Sequence, residues 1–390
     1  MANIHEYLIW RGDVPFSVSP FNEVDGLVLS ELAYANFQGV VAEAGERITI
    51  EEANRRFWEI HTEEEIMAQN SYTKTAPFLM KAMAGKPRFG GTILADYYDV
   101  VDTSEDIQLA AITFYLPDDT AFVAFRGTDD TVVGWKEDFN LSYMPETEGQ
   151  RRAVEYLNSR FSGKPNFIRV GGHSKGGNSA VYAAVNASPE VRDRIIAVYN
   201  NDGPGFLPAF TQSKAYRDML GRIINVVPEE SLIGTLLSSD SYQHITKSTA
   251  QGIIQHDGFS WQVLGTHFVE AEKRSDASLF VETTLHQWLG EQSEENRRTF
   301  VNTLFGLLES TGRATLGEIK SDIPGALASM WKMLETMPKE ERETTWNMIA
   351  QLFMTGSDNI IQETRKSLLS RLGAFALPKL GNDPKPESEG

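Results

Sequence analysis

Apolar residues recur at helical spacing in the first 90 residues, whereas short apolar runs bounded by turn residues dominate the middle of the chain. Residues 25–37 and 49–70 each predict a helix on this spacing. The second begins with Thr49 and Glu52 at the spacing of a capping box, in which each side chain bonds a free backbone N–H group. We therefore expect residues 1–90 to form a mainly helical segment that packs on the core.

Residues 91–274 alternate between strand-like and helix-like runs. Apolar runs rich in β-branched and aromatic residues predict strands, and longer amphipathic or alanine-rich runs predict helices between them. The predicted strands cover residues 107–116, 121–125, 166–170, 194–199 and 222–227, and the predicted helices cover residues 147–161, 174–187 and 207–220. This alternation predicts an α/β fold with a mostly parallel central sheet and helices on both faces.

The rest of the chain predicts further helices. Residues 275–376 form a C-terminal helical region, within which residues 327–337 and 341–354 show amphipathic spacing. Residues 377–390 are rich in proline and charge, so we expect this tail to be disordered.

Composition narrows the classes of site and partner. The chain has no cysteine, which excludes disulfides, thiolate metal sites and cysteine nucleophiles. Its net charge of −18 disfavours nucleic acid and unaided binding to anionic lipid. It has no uncharged apolar run of about 18 residues, so we expect no integral membrane segment. The N-terminal residues do not resemble a secretory signal, and the simplest expectation is a cytoplasmic protein. The oligomeric state is not indicated.

The most informative motif is Gly172-His173-Ser174-Lys175-Gly176, which matches G-x-S-x-G. A nucleophilic serine in this motif sits on a sharp strand-to-helix turn, and the small residues two before and two after it let strand and helix pass closely. A predicted strand precedes the motif and a predicted helix follows it, as a nucleophile elbow requires. An ordinary glycine-rich turn with an incidental serine is the alternative.

A serine nucleophile needs two donors for the oxyanion that forms during acyl transfer. The backbone N–H of Lys175, directly after the serine, supplies one almost automatically. The second donor is expected on a loop after an earlier strand, and residues 121–125 are followed by Arg126-Gly127-Thr128.

Residues 124–140, AFRGTDDTVVGWKEDFN, resemble the oxyanion strand of class 3 (fungal-type) lipases, which carry an Arg-Gly-Ser/Thr turn followed by a tryptophan and an aspartate. The resemblance covers roughly residues 90–260 and implies an α/β-hydrolase fold. It implies that Thr128 supplies the second oxyanion donor and that Trp135 and Asp138 match the tryptophan and aspartate. It also makes residues 129–137 a lid candidate, with an ordinary turn-helix connection as the equal alternative.

Four further segments resemble an uncharacterised bacterial branch of the same superfamily: WRGDVPFSVSPFNEVDGLVLSELAY, GGHSKGGNSAVY, NNDGPGF and QHDGFSW. The elbow departs from typical lipases at one position, because Lys175 stands where they carry an apolar residue. This departure argues against a wholly apolar acyl pocket.

The base and the acid follow from chain order, which in this fold runs serine, acid, histidine. That order leaves four histidines after Ser174: His244, His256, His267 and His286. We predict His256, because it ends an apolar run that enters a turn; His244 is next. For the acid we favour Asp202, at the end of the strand after the elbow helix, over Glu230, which follows the next strand. Asp257 is less suitable, since neighbours on a strand point to opposite faces.

These residues predict a serine hydrolase that cleaves a carboxylic ester or thioester of a small molecule or lipid. Ser174 attacks, His256 accepts its proton, and Asp202 or Glu230 orients the imidazole. A non-catalytic protein of this fold, and an acyltransferase or amidase with the same nucleophile, are the alternatives. No H-E-x-x-H and no G-x-G-x-x-G after a strand occurs, so neither metal nor cofactor is expected.

Overall fold

In the computed structural model, residues 2–315 are described apart from 70, 72 and 130, together with residues 318, 322, 325, 329, 332 and 333. The predicted helix at 341–354 and the tail at 377–390 lie outside the described residues, as does most of the helix predicted at 327–337.

The described strands and helices alternate through the middle of the chain. The strands are β1 Arg47–Thr49, β2 Ile93–Asp102, β3 Ile107–Tyr115, β4 Ala121–Arg126, β5 Ile168–His173, β6 Ile195–Asn201, β7 Ile223–Pro228, β8 Gln243–Thr246, β9 Val263–Leu264 and β10 His267–Phe268. The α-helices are α1 Ile4–Arg11, α2 Glu23–Leu32, α3 Ile50–Ile60, α4 Glu63–Ala68, α5 Ala76–Met83, α6 Val132–Asn140, α7 Glu148–Phe161, α8 Lys175–Asn186, α9 Pro189–Arg192, α10 Pro208–Thr211, α11 Lys214–Met219, α12 Asp276–Glu291 and α13 Glu294–Glu309. Short 3₁₀ helices cover Leu220–Arg222, Ile233–Thr235, Gly252–His256 and Gly258–Ser260.

Strands β1 to β8 form one sheet in which they lie side by side in chain order. The pairings from β1 to β4 are antiparallel, and the pairings from β4 to β8 are parallel. The parallel half carries the elbow, so the C-terminal ends of β4, β5 and β6 meet at one edge of the sheet. This is where α/β proteins collect functional side chains.

Alternate residues of β4 face two separate cores. Phe122 and Ala124 pack in one core with apolar residues of α1, α2, α3 and α5, whereas Ala121, Val123 and Phe125 pack in the other with residues of α7 and α8. Because side chains of a strand alternate between faces, helices cover both faces of the sheet. The chain therefore has an α/β-hydrolase fold with a mostly parallel central sheet, as the sequence predicts. The division into segments 1–90, 91–274 and 275–376 stays a prediction.

Two predicted helices are each broken into two. The helix expected at 49–70 ends at Ile60, and α4 starts anew after Thr62. Thr49 caps α3 by accepting from the Glu52 backbone N–H at 3.2 Å, but the Glu52 carboxylate bonds Arg55 and Arg56 in place of the backbone. Only half of the expected capping box forms there, because nearby arginines compete for the carboxylate.

The helix expected at 207–220 is likewise two short helices, α10 and α11, and Ser213 caps the second by accepting from the Tyr216 N–H. In the described part of the chain, no helix combines the length and apolar character needed to cross a membrane. Within the same residues, no group of three or more histidines and carboxylates is arranged to hold a metal ion.

Candidate active site

The elbow at Ser174 has the strained geometry that the motif predicts. Ser174 has φ 58° and ψ −134°, a left-handed backbone conformation that few residues other than glycine adopt, and it lies between the end of β5 and the first residue of α8. A side chain at Gly172 would collide with the backbone of Gly176, and one at Gly176 would collide with the carbonyl oxygen of Phe125. The glycines are therefore required for strand and helix to pass this closely.

Asp202 lies directly after β6, and its carboxylate contacts His256. Its Oδ2 lies 2.6 Å from His256 Nδ1, and its backbone N–H donates to the carbonyl oxygen of Val226 at 2.8 Å. Its Oδ1 accepts from Ser231 Oγ at 2.5 Å and from the Gly234 N–H at 3.2 Å. Both carboxylate oxygens are thus occupied, and the fully buried Asp202 is fixed in the orientation that an imidazole requires.

Glu230 does not contact His256. Its backbone N–H donates to Gln255 Oε1 at 3.0 Å, and its Oε2 accepts from Gln255 Nε2 at 3.0 Å and from the backbone N–H of Gly252. Glu230 therefore bonds two residues of the turn that carries His256, Gly252 and Gln255, and stabilises that turn. Of the two acids proposed from the sequence, the structure brings only Asp202 to His256.

The segment that carries His256 is a 3₁₀ helix, Gly252–His256, and the strand end expected from its apolar residues was wrong. Asp257 caps the next 3₁₀ turn by accepting from the Phe259 N–H at 3.0 Å. His244 lies on the edge strand β8, and His267 is exposed on β10. Of the candidate histidines, His256 alone is described in contact with a carboxylate buried beside the elbow.

The end of β4 abuts the elbow. A side chain at Gly127 would collide with the Tyr34 hydroxyl and the His173 carbonyl, and its Cβ would lie 3.1 Å from Ser174 Cβ. Gly127 is therefore required for this close approach of β4 to the elbow, and Thr128 is the next residue along the chain.

Thr128 is held by Asp138, one of the two lipase-like positions on α6. Thr128 Oγ1 donates to Asp138 Oδ2 at 2.5 Å. Burial raises the pKa of the Asp138 carboxyl to about 6, and the positive charges of Lys175 and His256 partly oppose that rise. Asp138 thus links the oxyanion turn electrostatically to both the elbow and the candidate base.

The Lys175 side chain lies in a buried polar network. Its Nζ donates to Gln108 O and Gln108 Oε1 at 2.8 Å each and lies 3.0 Å from Glu137 Oε2, and the residue is only 4% exposed. Glu137 is completed by the Gln108 N–H, Thr147 Oγ1 and the Gly149 N–H. The ammonium is therefore buried in this network, and the acyl pocket that is not wholly apolar stays a prediction.

The lid candidate, residues 129–137, is described except for residue 130. Its Val132 N–H donates to the Ala314 carbonyl at 2.8 Å, and Lys136 lies 2.9 Å from Asp106 and 3.4 Å from Glu309. The segment is therefore held by α13 and the residues after it. Its role as a lid stays a prediction.

Sequence reasoning missed the residues that support the acid and the base. Ser231 and Gly234 hold Asp202 from a 3₁₀ loop after β7, and His173 Nε2 lies 2.7 Å from the His256 carbonyl oxygen. His173 was set aside as a base by chain order, which is silent about a supporting role. No local pattern marks any of these three residues.

Comparisons with known proteins identify a family and show a likeness to a distant solved structure. The family model Mbeg1-like matches residues 83–306, more than half of the 390 residues, and spans the sheet from β2 to β8, the elbow and His256. No functionally curated protein matches the sequence. Among solved structures, the crystal structure of M37 lipase is similar at 15% identity over 54% of this chain and 68% of that chain, with a TM-score of 0.33. A score this low supports no inference, and the fold assignment rests on the sheet topology.

Proposed function

The chain belongs to the Mbeg1-like family, whose members are lipase-like, and from this premise and the site geometry we propose that it is a serine hydrolase. The substrate is a carboxylic ester or thioester of a small molecule or lipid, and the acyl group passes through Ser174. The observation that carries the proposal is the pair formed by His256 Nδ1 and Asp202 Oδ2 at 2.6 Å, where the His256 ring packs on His173, the residue before Ser174 on the strained elbow.

The proposed chemistry follows from the tautomer that Asp202 selects. A carboxylate at Nδ1 accepts the Nδ1–H, so Nε2 of neutral His256 is free to act as a base. Nε2 takes the proton of Ser174 Oγ as this oxygen bonds the acyl carbon. Nε2 then donates the proton to the departing alcohol or thiol as the bond between that group and the acyl carbon breaks. Water then bonds the acyl carbon through its oxygen while its proton passes to Nε2. The bond between Ser174 Oγ and the acyl carbon breaks, the proton on Nε2 returns to Oγ, and the free acid leaves.

The backbone N–H groups of Lys175 and Thr128 are the proposed donors to the oxyanion. The first belongs to the initial turn of α8, where the helix dipole also favours negative charge. The second follows the close approach of Gly127 to Ser174, and Asp138 holds its side chain. Removing one such donor costs about a hundredfold or more in kcat.

A fluorophosphonate probe tests the proposal directly. We expect the wild-type protein to be labelled at Ser174 and Ser174→Ala to be unlabelled while keeping its melting temperature. Ser159→Ala is the matched control, because Ser159 lies on α7 and its hydroxyl only donates to the Tyr156 carbonyl; we expect normal labelling. A folded wild-type protein that is not labelled would refute the hydrolase and support a non-catalytic role.

A second measurement separates hydrolysis from acyl transfer. With a p-nitrophenyl ester, hydrolysis releases the free acid, whereas an acyltransferase forms a new ester or amide when an alcohol or amine is added. We expect free acid as the main product. Preferential transfer to the added acceptor would keep the nucleophile but assign a different reaction.

A further inference from the structure

Glu31, near the end of α2, is a buried carboxyl that the proposed mechanism does not use. It is fully buried, and in the described part of the chain neither of its oxygens has a hydrogen-bond partner by ordinary distance and angle. Burial raises its pKa well above the usual range, and the neighbouring carboxyl of Asp257 adds to the rise. A buried polar group without a hydrogen bond destabilises a folded protein, so the presence of a carboxyl in this place needs an explanation, which a functional role would give.

His173 Nδ1 lies 3.4 Å from Glu31 Oε1. The other nitrogen of His173, Nε2, lies 2.7 Å from the His256 carbonyl oxygen. A carbonyl oxygen can only accept, so Nε2 carries the hydrogen and Nδ1 has a free lone pair. Burial also lowers the pKa of His173 well below its usual range, which keeps the ring neutral.

His173 therefore has two acceptor atoms, the lone pair of Nδ1 and the main-chain carbonyl oxygen, and each can take one hydrogen bond from a neighbour. Tyr34 Oη lies 3.1 Å from His173 Nδ1 and 3.3 Å from the His173 carbonyl oxygen, but a phenol has one hydrogen to donate. When Tyr34 donates to the carbonyl, Nδ1 needs another donor. The acid hydrogen of Glu31 is the one in reach.

His173 in turn holds His256 in two ways. It donates to the His256 main chain, and its ring packs on the His256 ring with centroids 4.6 Å apart and an interplanar angle of 34°. The position of the proposed base therefore depends on the tautomer of His173.

Building on the proposed function, we propose that Glu31 is a positioning residue for His256. As a neutral carboxylic acid it donates to His173 Nδ1 and holds His173 in the tautomer that anchors the His256 main chain. The groups that face Glu31 from the surrounding elements are His173 at the end of β5, Tyr34 after α2, and Asp257 after the His256 turn.

Paired substitutions test the donor role in the full-length protein. Glu31→Gln keeps a donor, because the amide N–H replaces the acid O–H, and we expect kcat within about threefold of wild type and an unchanged acid limb of the pH profile. Glu31→Met removes the donor, and we expect kcat to fall roughly ten- to a hundredfold with little change in KM, as misplacement of a base does. Glu64→Met, on the exposed side of α4, is the control and is expected to match wild type.

The proposal would be overturned if Glu31→Met kept the wild-type kcat, or if Glu31→Met and Glu31→Gln lost kcat equally. A shift in the acid limb of the pH profile of Glu31→Gln would overturn it as well. Imidazole ¹⁵N spectra, assigned with His173→Gln, give a readout that does not require activity. We expect neutral His173 with hydrogen on Nε2 throughout pH 6 to 8, and loss of that single tautomer in Glu31→Met. A charged or Nδ1-protonated His173 would refute the inference even in an active enzyme, whereas failure of wild-type labelling by the fluorophosphonate would refute only the hydrolase.

Discussion

Two buried glutamates each contact a residue next to Ser174, and their environments differ sharply. On the Lys175 side, Glu137 has every oxygen bonded: Oε2 faces Lys175 Nζ and the Gln108 N–H, and Oε1 faces Thr147 and Gly149. On the histidine side, Glu31 has no hydrogen-bond partner among the described residues and no cation beside it.

The difference teaches what each carboxyl does. Glu137 neutralises a buried ammonium and ties α6 to the elbow, so its charge is structural. Burial raises the pKa of Glu31, which favours the neutral acid, and a neutral acid can donate a hydrogen bond, which a carboxylate cannot do. An ion pair thus holds Lys175 beside Glu137, whereas the proposed contact between Glu31 and His173 depends on which atoms carry hydrogens.

The largest expected effect concerns the acid on the histidine side. Asp202→Asn should lower kcat by roughly 10⁴, because the amide stabilises the wrong imidazole tautomer. Glu230→Gln, which changes a carboxyl that only braces the turn, should lower kcat less than about tenfold. Steady-state kinetics on a chromogenic ester give both values. Equal losses would mean that Glu230 shares the role of Asp202.

The next effect tests the charged side. Glu137→Ala leaves the Lys175 ammonium buried without its carboxylate and should lower the free energy of unfolding by about 3–5 kcal/mol. Urea denaturation measures this loss. Replacing both Glu137 and Lys175 by methionine should cost less than either single change. Arg55→Ala, in an exposed pair with Glu59, is the control and should leave the urea midpoint nearly unchanged.

A pH profile tests Asp138, which lies between the two sides. Its raised pKa of about 6 means that it is ionised above pH 6 and becomes protonated as pH falls through that value. If the ionised form holds Thr128 for catalysis, kcat/KM should fall on the acid side as Asp138 becomes protonated. Asp138→Asn should make that decline less steep. Asp118→Asn, in the β3–β4 turn, should keep the wild-type profile, and an unchanged steep limb in Asp138→Asn would contradict this role.

The smallest expected effect is the stability of Glu31→Met. Because the substitution removes a buried carboxyl without an ordinary hydrogen bond, the free energy of unfolding should change by less than about 1 kcal/mol or rise. Urea denaturation beside Glu137→Ala makes the comparison direct. A loss of about 3 kcal/mol would show that Glu31 is as firmly paired as Glu137 and would erase the contrast between the two sides.

Much of the fold was predictable because it follows from local patterns. The strand before Ser174, the helix after it and the mostly parallel sheet match the apolar runs and their turn residues. Errors arose where local signals were ambiguous, as in the 3₁₀ turn at Gly252–His256, whose apolar residues read equally well as a strand. The divided helix at 49–70 shows the same limit, because a new cap at Thr62 restarts it.

The site was predictable only where chain order and local strain constrain it. The elbow at Ser174 could be predicted from its glycines, because the steric limits of a single turn involve only residues close together in the sequence. The sequence offered both Asp202 and Glu230 as the acid. The choice between them required the contact of Asp202 with His256, which lies 54 residues further along the chain. The burial of the Lys175 side chain was unpredictable for the same reason, since its partner Glu137 lies 38 residues away.

The sequence by itself determined the elbow, the alternation of strands and helices, and the order of candidate groups along the chain, because backbone sterics and hydrophobic periodicity act over a few residues. Only the tertiary structure decided that Asp202 meets His256, that the Lys175 charge is buried against Glu137, and that Glu31 lies against His173. Charge pairing, desolvation and the placement of hydrogens depend on distances in space, and folding brings together groups that the sequence separates.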